Sequence, residues 1–182
     1  MASLLFEHGE RLDDPAAIGE ALAPLMVTLA HDPEPLPPQI LALLLLVVPS
    51  PEQSEAILQP LDQRLERLKI VEPLVSRDLL ALHGGAPGTA EHLGRFSGFH
   101  THASDEGRYI VSGECLFGFV LPEGPQVRLT LHPRDVLRIP AGTEHWFQLT
   151  PLQQLKAVRL FSHVEEWVTR PMARTIAPSL AA

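Results

Sequence analysis

Cysteine is almost absent from this chain: among 182 residues there is one, Cys115. A single thiol closes no intrachain disulfide and builds no thiolate metal cluster, so nothing in the sequence demands an oxidising compartment. Positive charge is also scarce. Fourteen Lys+Arg stand against 22 Asp+Glu, a formal net charge of −8, which argues against a nucleic-acid partner. Long apolar runs are missing as well. The longest, Ile40 to Val48, has nine residues and is closed by Pro49, whereas a membrane-spanning helix needs about 20. It is expected to be a buried strand or a short buried helix. The N-terminus carries Glu7, Glu10, Asp13 and Asp14 and no basic start followed by an apolar core, so it does not read as a secretory signal. A cytoplasmic protein is expected, with neither membrane nor nucleic acid as its partner.

What is present is a globular composition, 45% apolar and 20% charged, at a length that suits one domain or one plus an extension. Eleven of the 18 prolines precede Gly88, and nine of the ten aromatic residues fall between Phe96 and Trp167. The first half reads as helical and proline-punctuated. Asp14 before Pro15 resembles a helix start, and Ser50-Pro51-Glu52-Gln53 is a capping-box pattern. After it, Ile57, Leu58, Leu61, Leu65 and Leu68 recur at helical spacing, with Pro60 expected to kink or shorten that helix. His31 to Pro38, with four prolines, is expected to be an extended connector.

From about Gly94 the pattern changes to short β-branched and aromatic segments divided by turn formers. Strands are expected at Arg108–Val111, Leu116–Leu121, Val127–Leu131, Val136–Ile139, Trp146–Leu149 and Lys156–Phe161. Many short strands at this spacing imply a sandwich or barrel. Residues 1–93 are expected to form a helix-rich extension integral to the domain, 94–167 the barrel core and 168–182 a C-terminal tail.

Histidine is plentiful, with nine residues. In His100-Thr101-His102, strand alternation turns both imidazoles to one face, where they can meet one ion. Glu106 follows after a spacing that suits a tight turn, and Arg108 shares its parity. Pro140-Ala141-Gly142-Thr143-Glu144-His145 supplies a turn and a strand that would deliver His145 from across a barrel. Three neutral imidazoles and one carboxylate leave a divalent cation with a residual charge of about +1 and suit iron or nickel in octahedral coordination, with positions open for a chelating substrate. Zinc, which prefers four ligands, ranks below them. Arg159 shares a strand face with Phe161. Phe147 shares one with His145 and is a candidate apolar wall, while Trp167 is placed to close the pocket. His8, His31, His83, His92, His132 and His163 read as surface or hydrogen-bonded residues, and Cys115 as a small buried hydrophobe.

Gly94, five residues, His100-x-His102, three residues, Glu106, six residues and Gly113 resemble the first cupin motif. Pro140-x-Gly142-x-x-His145 resembles the middle of the second, with Arg134 and Leu149 replacing its outer glycine and asparagine. The stretches His-Thr-His-x-x-Asp-Glu-x-Arg-Tyr, Pro-Ala-Gly-x-x-His-Trp-Phe and Lys156 to Phe161 followed by Trp167 resemble the acireductone dioxygenase family. The likeness runs from about Asp78 to Trp167. Phe99, Gly107 and Ser162 depart from that family's pattern.

The resemblance implies a mainly β fold, a cupin (double-stranded β-helix, jelly-roll) barrel with an N-terminal helical extension packed on it. It also implies one Fe2+ or Ni2+ per chain on His100, His102, Glu106 and His145, with Arg108 as the catalytic cation and Arg159, Phe147 and Trp167 near the substrate. The implied reaction is dioxygen cleavage of 1,2-dihydroxy-3-keto-5-methylthiopentene in methionine salvage. Iron would give 2-oxo-4-methylthiobutanoate and formate; nickel would give methylthiopropionate, formate and carbon monoxide. The competing readings are a cupin dioxygenase or isomerase with another chelating substrate, and a non-catalytic cupin that binds a small ligand. The expected partners are a small-molecule substrate and dioxygen, with the chain a monomer or weak homo-oligomer.

Overall fold

A computed structural model describes residues 1–163 and 168–181. In chain order these form β1 (Ser3–Phe6), β2 (Arg11–Leu12), α1 (Pro15–Leu22), β3 (Thr28–His31), α2 (Pro38–Leu41), α3 (Pro51–Leu58), α4 (Asp62–Leu68), β4 (Ser76–His83) and α5 (Thr89–Phe96). Then come β5 (His100–Thr101), β6 (Glu106–Gly113), β7 (Cys115–Val120), β8 (Gln126–Leu131), β9 (Asp135–Ile139), β10 (His145–Leu149), β11 (Gln154–Phe161) and β12 (Arg170–Pro171).

The helix starts follow local chemistry. The Asp14 side chain accepts from the Ala17 N–H, with Pro15 in the first turn of α1. Ser50 and Gln53 cap each other reciprocally at the start of α3. Pro60 sits in a short 3-10 turn, Gln59–Leu61, that separates α3 from α4, because its ring and missing N–H interrupt the helical ladder.

Strands expected from alternation all form, each within a residue or two of its expected ends. They pair antiparallel in two sheets, ordered β12-β5-β10-β7-β8-β1-β2 and β3-β9-β6-β11-β4. Two sheets facing each other around one core, with the ligand motifs on their inner faces, are the double-stranded β-helix of a cupin. Leu4, Phe117, Phe119, Leu129, Leu137, Phe147 and Ala157 meet between the sheets. Along β6, Ile110 faces this interior while Tyr109 and Val111 face out, and along β11 Ala157 faces in while Val158 and Leu160 face out. That outer face is covered by Ile57, Leu61 and Leu65.

Two features differ from expectation. The N-terminal half also supplies strands: β1 joins β8, β3 joins β9 and β4 joins β11. Short segments without clean alternation become strands here because a barrel edge offers them hydrogen-bond partners. The Ile40–Val48 run, expected to be buried, buries Ile40 but leaves Leu45 85% and Val48 55% exposed. It turns from α2 into a 3-10 turn, Leu43–Leu45, and a chain that short and bent presents only part of its apolar surface to the core. No described helix is long and apolar enough to cross a membrane.

The C-terminal segment straps the outer face of the larger sheet. Leu180 is fully buried among Phe99, Leu116 and Trp146. Gln126 donates to the Thr175 carbonyl, Arg128 to the Leu180 carbonyl, and the Ser179 hydroxyl to the Glu7 carbonyl.

Candidate metal centre

β5 pairs with β10 so that His100 lies directly opposite His145. His102 follows two residues after His100, on the same side, as parity requires. The three rings converge, with centroids 4.4 Å apart for His100–His145, 5.0 Å for His100–His102 and 5.3 Å for His102–His145. Each offers one ligand atom, and these atoms lie within 4.8 Å of one another. Glu106, the first residue of β6, reaches in from the other sheet, its Oε2 3.2 Å from His145 Nε2 and 3.4 Å from His102 Nε2. The expected crossing is thus reversed: His145 is the lateral neighbour of His100, and it is the glutamate that comes from across the barrel.

Ring orientation is fixed from behind. Nδ1 of His100 bonds to the Gly98 carbonyl at 2.8 Å, Nδ1 of His145 to the Thr143 carbonyl at 2.8 Å, and Nδ1 of His102 to the Val168 carbonyl at 3.3 Å. A carbonyl only accepts, so each Nδ1 carries the proton and each neutral ring presents the bare lone pair of Nε2. His100 Nε2 is buried without a hydrogen-bond partner among the described residues. The His145 lone pair and the Glu106 carboxylate face each other at 3.2 Å, and two acceptors so placed repel unless a cation joins them. This donor set fits a divalent metal ion.

Burial favours the neutral form of His100 and His102 that a metal requires. It pushes the His100 pKa down to about 4 and lowers that of His102. Burial alone would raise the Glu106 carboxyl, but the Arg108 cation beside it holds it below the usual carboxylate range. Arg108 Nη2 donates to Glu106 Oε1 at 2.9 Å, and both residues are buried.

Gly142 N–H donates to the His102 carbonyl at 2.9 Å, joining the two motifs. Asp105 completes the clamp, accepting from Arg138 Nε at 2.9 Å and from the Ala141 N–H at 3.0 Å. Sequence alone does not reveal this clamp, because Arg138 lies on another strand. The Val168 carbonyl left no sequence signal at all, since any residue has one.

The remaining expected site residues divide. Arg159 lies opposite Arg108 in the register and is held by Asp78, 2.7 Å from Nε to Oδ1, with its guanidinium over the Phe161 ring. Phe147 is buried against Phe117, two positions along β10 from His145. Trp167 lies outside the described residues. Of the departures from the family pattern, Phe99 packs with Leu116, Trp146 and Leu180, and an added Cβ at Gly107 would meet Leu160 and Val71, placing it against the helical layer.

Such a barrel, with three imidazoles and a carboxylate at one point inside it, is a metal-binding cupin. The ARD/ARD' family pattern matches residues 57–169. The chain is 45% identical to the acireductone dioxygenase of Trichodesmium erythraeum over 92% of both chains, and 40% identical to that of Microcystis aeruginosa over the full length of both. A solved structure, acireductone dioxygenase from Bacillus anthracis with a cadmium ion in its active centre, superposes with a TM-score of 0.83 at 26% identity, covering 93% of this chain and 98% of that one. The chain belongs to the acireductone dioxygenase family.

Proposed function

We propose that this protein cleaves an acireductone, 1,2-dihydroxy-3-keto-5-methylthiopentene, with dioxygen, using one Fe2+ or Ni2+ held by His100, His102, Glu106 and His145. The observation that carries this reading is the convergence of the three imidazoles, each anchored at Nδ1 by a backbone carbonyl, with Nε2 of His102 and of His145 facing Glu106. When bound, the ion supplies Lewis-acid chelation of adjacent substrate oxygens.

The chain's own residues do the rest. Glu106 presents one oxygen to the histidines and keeps the other on Arg108. Arg108, fixed and desolvated, stabilises negative charge as it develops on the enediolate. Arg159, positioned by Asp78 on the adjacent strand, adds a second cation. Phe147 forms an apolar wall for the thioether tail. Local charge in a dry pocket outweighs the distant, screened −8 of the whole chain, so an anionic substrate is admitted.

The test is to purify the protein without chelator, measure bound metal, and follow loss of the enediol absorbance once oxygen is admitted. Turnover with formate release is expected. Carbon monoxide among the products marks nickel, and the 2-oxo acid marks iron. Metal without turnover would point to a different chelating substrate, and no metal even after reconstitution would overturn the proposal.

A further inference from the structure

Of the six histidines outside the ligand set, five are engaged. His8 bonds to Glu10, His31 to Asp135, His132 to Glu114 and His163 to Ser162, while His83 accepts from the Gly85 N–H. His92 differs: its Nε2 is buried and has no hydrogen-bond partner among the described residues. A buried polar atom left unpaired costs stability, and such atoms in native proteins call for an explanation.

Its place in the fold supplies one. His92 lies on α5 with Thr89, Leu93 and Phe96, at spacings that put all four on one face. Glu91 and Arg95 pair with each other on the exposed side. Leu93 and Phe96 pack on the barrel core, and the Thr89 hydroxyl is occupied by the His83 N–H. Among the described residues, His92 is thus the polar group of the inward face that has a ring nitrogen without a partner. Its ring lies 4.5 Å from Phe96 and 6.1 Å from Phe147, centroid to centroid. Phe96 is in turn 5.5 Å from His100 and 6.2 Å from His102. One aromatic ring therefore separates His92 from two of the ligands.

We infer that His92 is a substrate-contacting residue of this site, which gives its Nε2 to the oxygen left over when two adjacent oxygens of the acireductone chelate the ion. The inference rests on the functional reading above and deepens it. The substrate carries three oxygens in a row, so either chelation mode leaves one over. A neutral imidazole serves that oxygen as donor if it is a carbonyl and as either partner if it is a hydroxyl. Burial, followed by the nearby charges of Arg108 and Arg159, pushes the His92 pKa down to about 4, so the ring is neutral near pH 7. Phe147, the apolar wall proposed for the substrate tail, is in ring contact with His92, which puts His92 on that side of the barrel. His92 would set specificity by favouring an enediol that bears a third oxygen over one that does not.

The experiment is anaerobic binding of the acireductone, and separately of catechol, to the metal-loaded protein. Catechol has two adjacent oxygens and no third. His92→Phe is expected to weaken acireductone binding by about tenfold to a hundredfold, with catechol affinity and metal content unchanged and Tm not lowered. His92→Gln, which still donates and accepts, should recover most of the loss. Unchanged acireductone affinity in His92→Phe would overturn the assignment, as would an equal loss for catechol or a loss of metal, since either makes His92 structural. If His92→Phe fails to fold, His92→Leu should show the same selective loss. Wild-type protein that takes metal and catechol but not the acireductone would overturn the functional reading itself, and this assignment with it.

Discussion

Inside the barrel Arg108 donates to one oxygen of Glu106 at 2.9 Å while the other oxygen of the same carboxylate faces His145 and His102. One side chain thus neutralises a cation behind it and turns its other oxygen to the histidines before it. Removing the carboxylate should break both relationships. Glu106→Ala is expected to lower metal content at least tenfold and abolish turnover, measured by metal analysis and the enediol assay on one preparation. Arg108→Ala should keep its metal yet lose roughly a hundredfold or more in kcat/KM, as removal of a fixed cation from developing charge does. Turnover retained in either variant would contradict the role of that residue.

Chelator-treated protein should lose stability on acidification in a defined window. His100 is held at about 4 in the fold against an ordinary value of 6.5. Between those pH values the unfolded chain binds a proton that the folded chain refuses, so stability falls as pH drops from 6.5 toward 4. His100 alone contributes on the order of 3 kcal/mol. His102 shifts in the same direction. Thermal melts at pH 7.5, 6.0 and 5.0 check this, and a Tm flat across that range would show that the histidines are not buried neutral.

The two glycines that bracket the first motif should respond oppositely to alanine. Gly113 has φ +76°, and a Cβ there would lie 2.1 Å from the Gln154 carbonyl oxygen, a backbone atom fixed by strand pairing. Gly113→Ala should cost about 3 kcal/mol or more. Gly94 lies inside α5 with open space around it. Gly94→Ala should stabilise by about 0.5–1 kcal/mol, the helix preference of alanine over glycine. Denaturant melts of the two variants decide the matter.

Tyr109→Phe tests how the helical layer is tied to the barrel. The Tyr109 hydroxyl donates to the buried Asp32 carboxylate at 2.7 Å, and Arg64 from α4 pairs with the same carboxylate at 3.2 Å. Losing the hydroxyl should cost about 1–3 kcal/mol. Metal content should stay unchanged and unfolding should remain one transition, because the two layers share a core. A separate early transition would show instead that the N-terminal layer unfolds alone.

Much of the barrel was legible because alternation and turn formers are local signals. β6 to β11 follow from β-branched and aromatic residues read with period two, and α1 and α3 from Asp14-Pro15 and the Ser50 capping box. That His100 and His102 share a face was legible for the same reason: spacing on a strand dictates facing. β1, β3 and β4 were not, because their hydrogen-bond partners lie far along the chain. The exposure of Leu45 and Val48 was hidden too, since hydrophobicity states a preference for burial, not whether a neighbour arrives to provide it.

By itself, then, the sequence determined which side chains are candidates for the chemistry and which of them share a strand face, because parity needs no partner. Only the tertiary structure decided which sheet delivers each ligand, that Glu106 rather than His145 crosses the barrel, and that the carbonyls of Gly98, Thr143 and Val168 fix the three rings. It alone distinguished His92 from the other non-ligand histidines. Each of these depends on the distance between residues far apart in the chain, and such distances are set by how two sheets close on a common core.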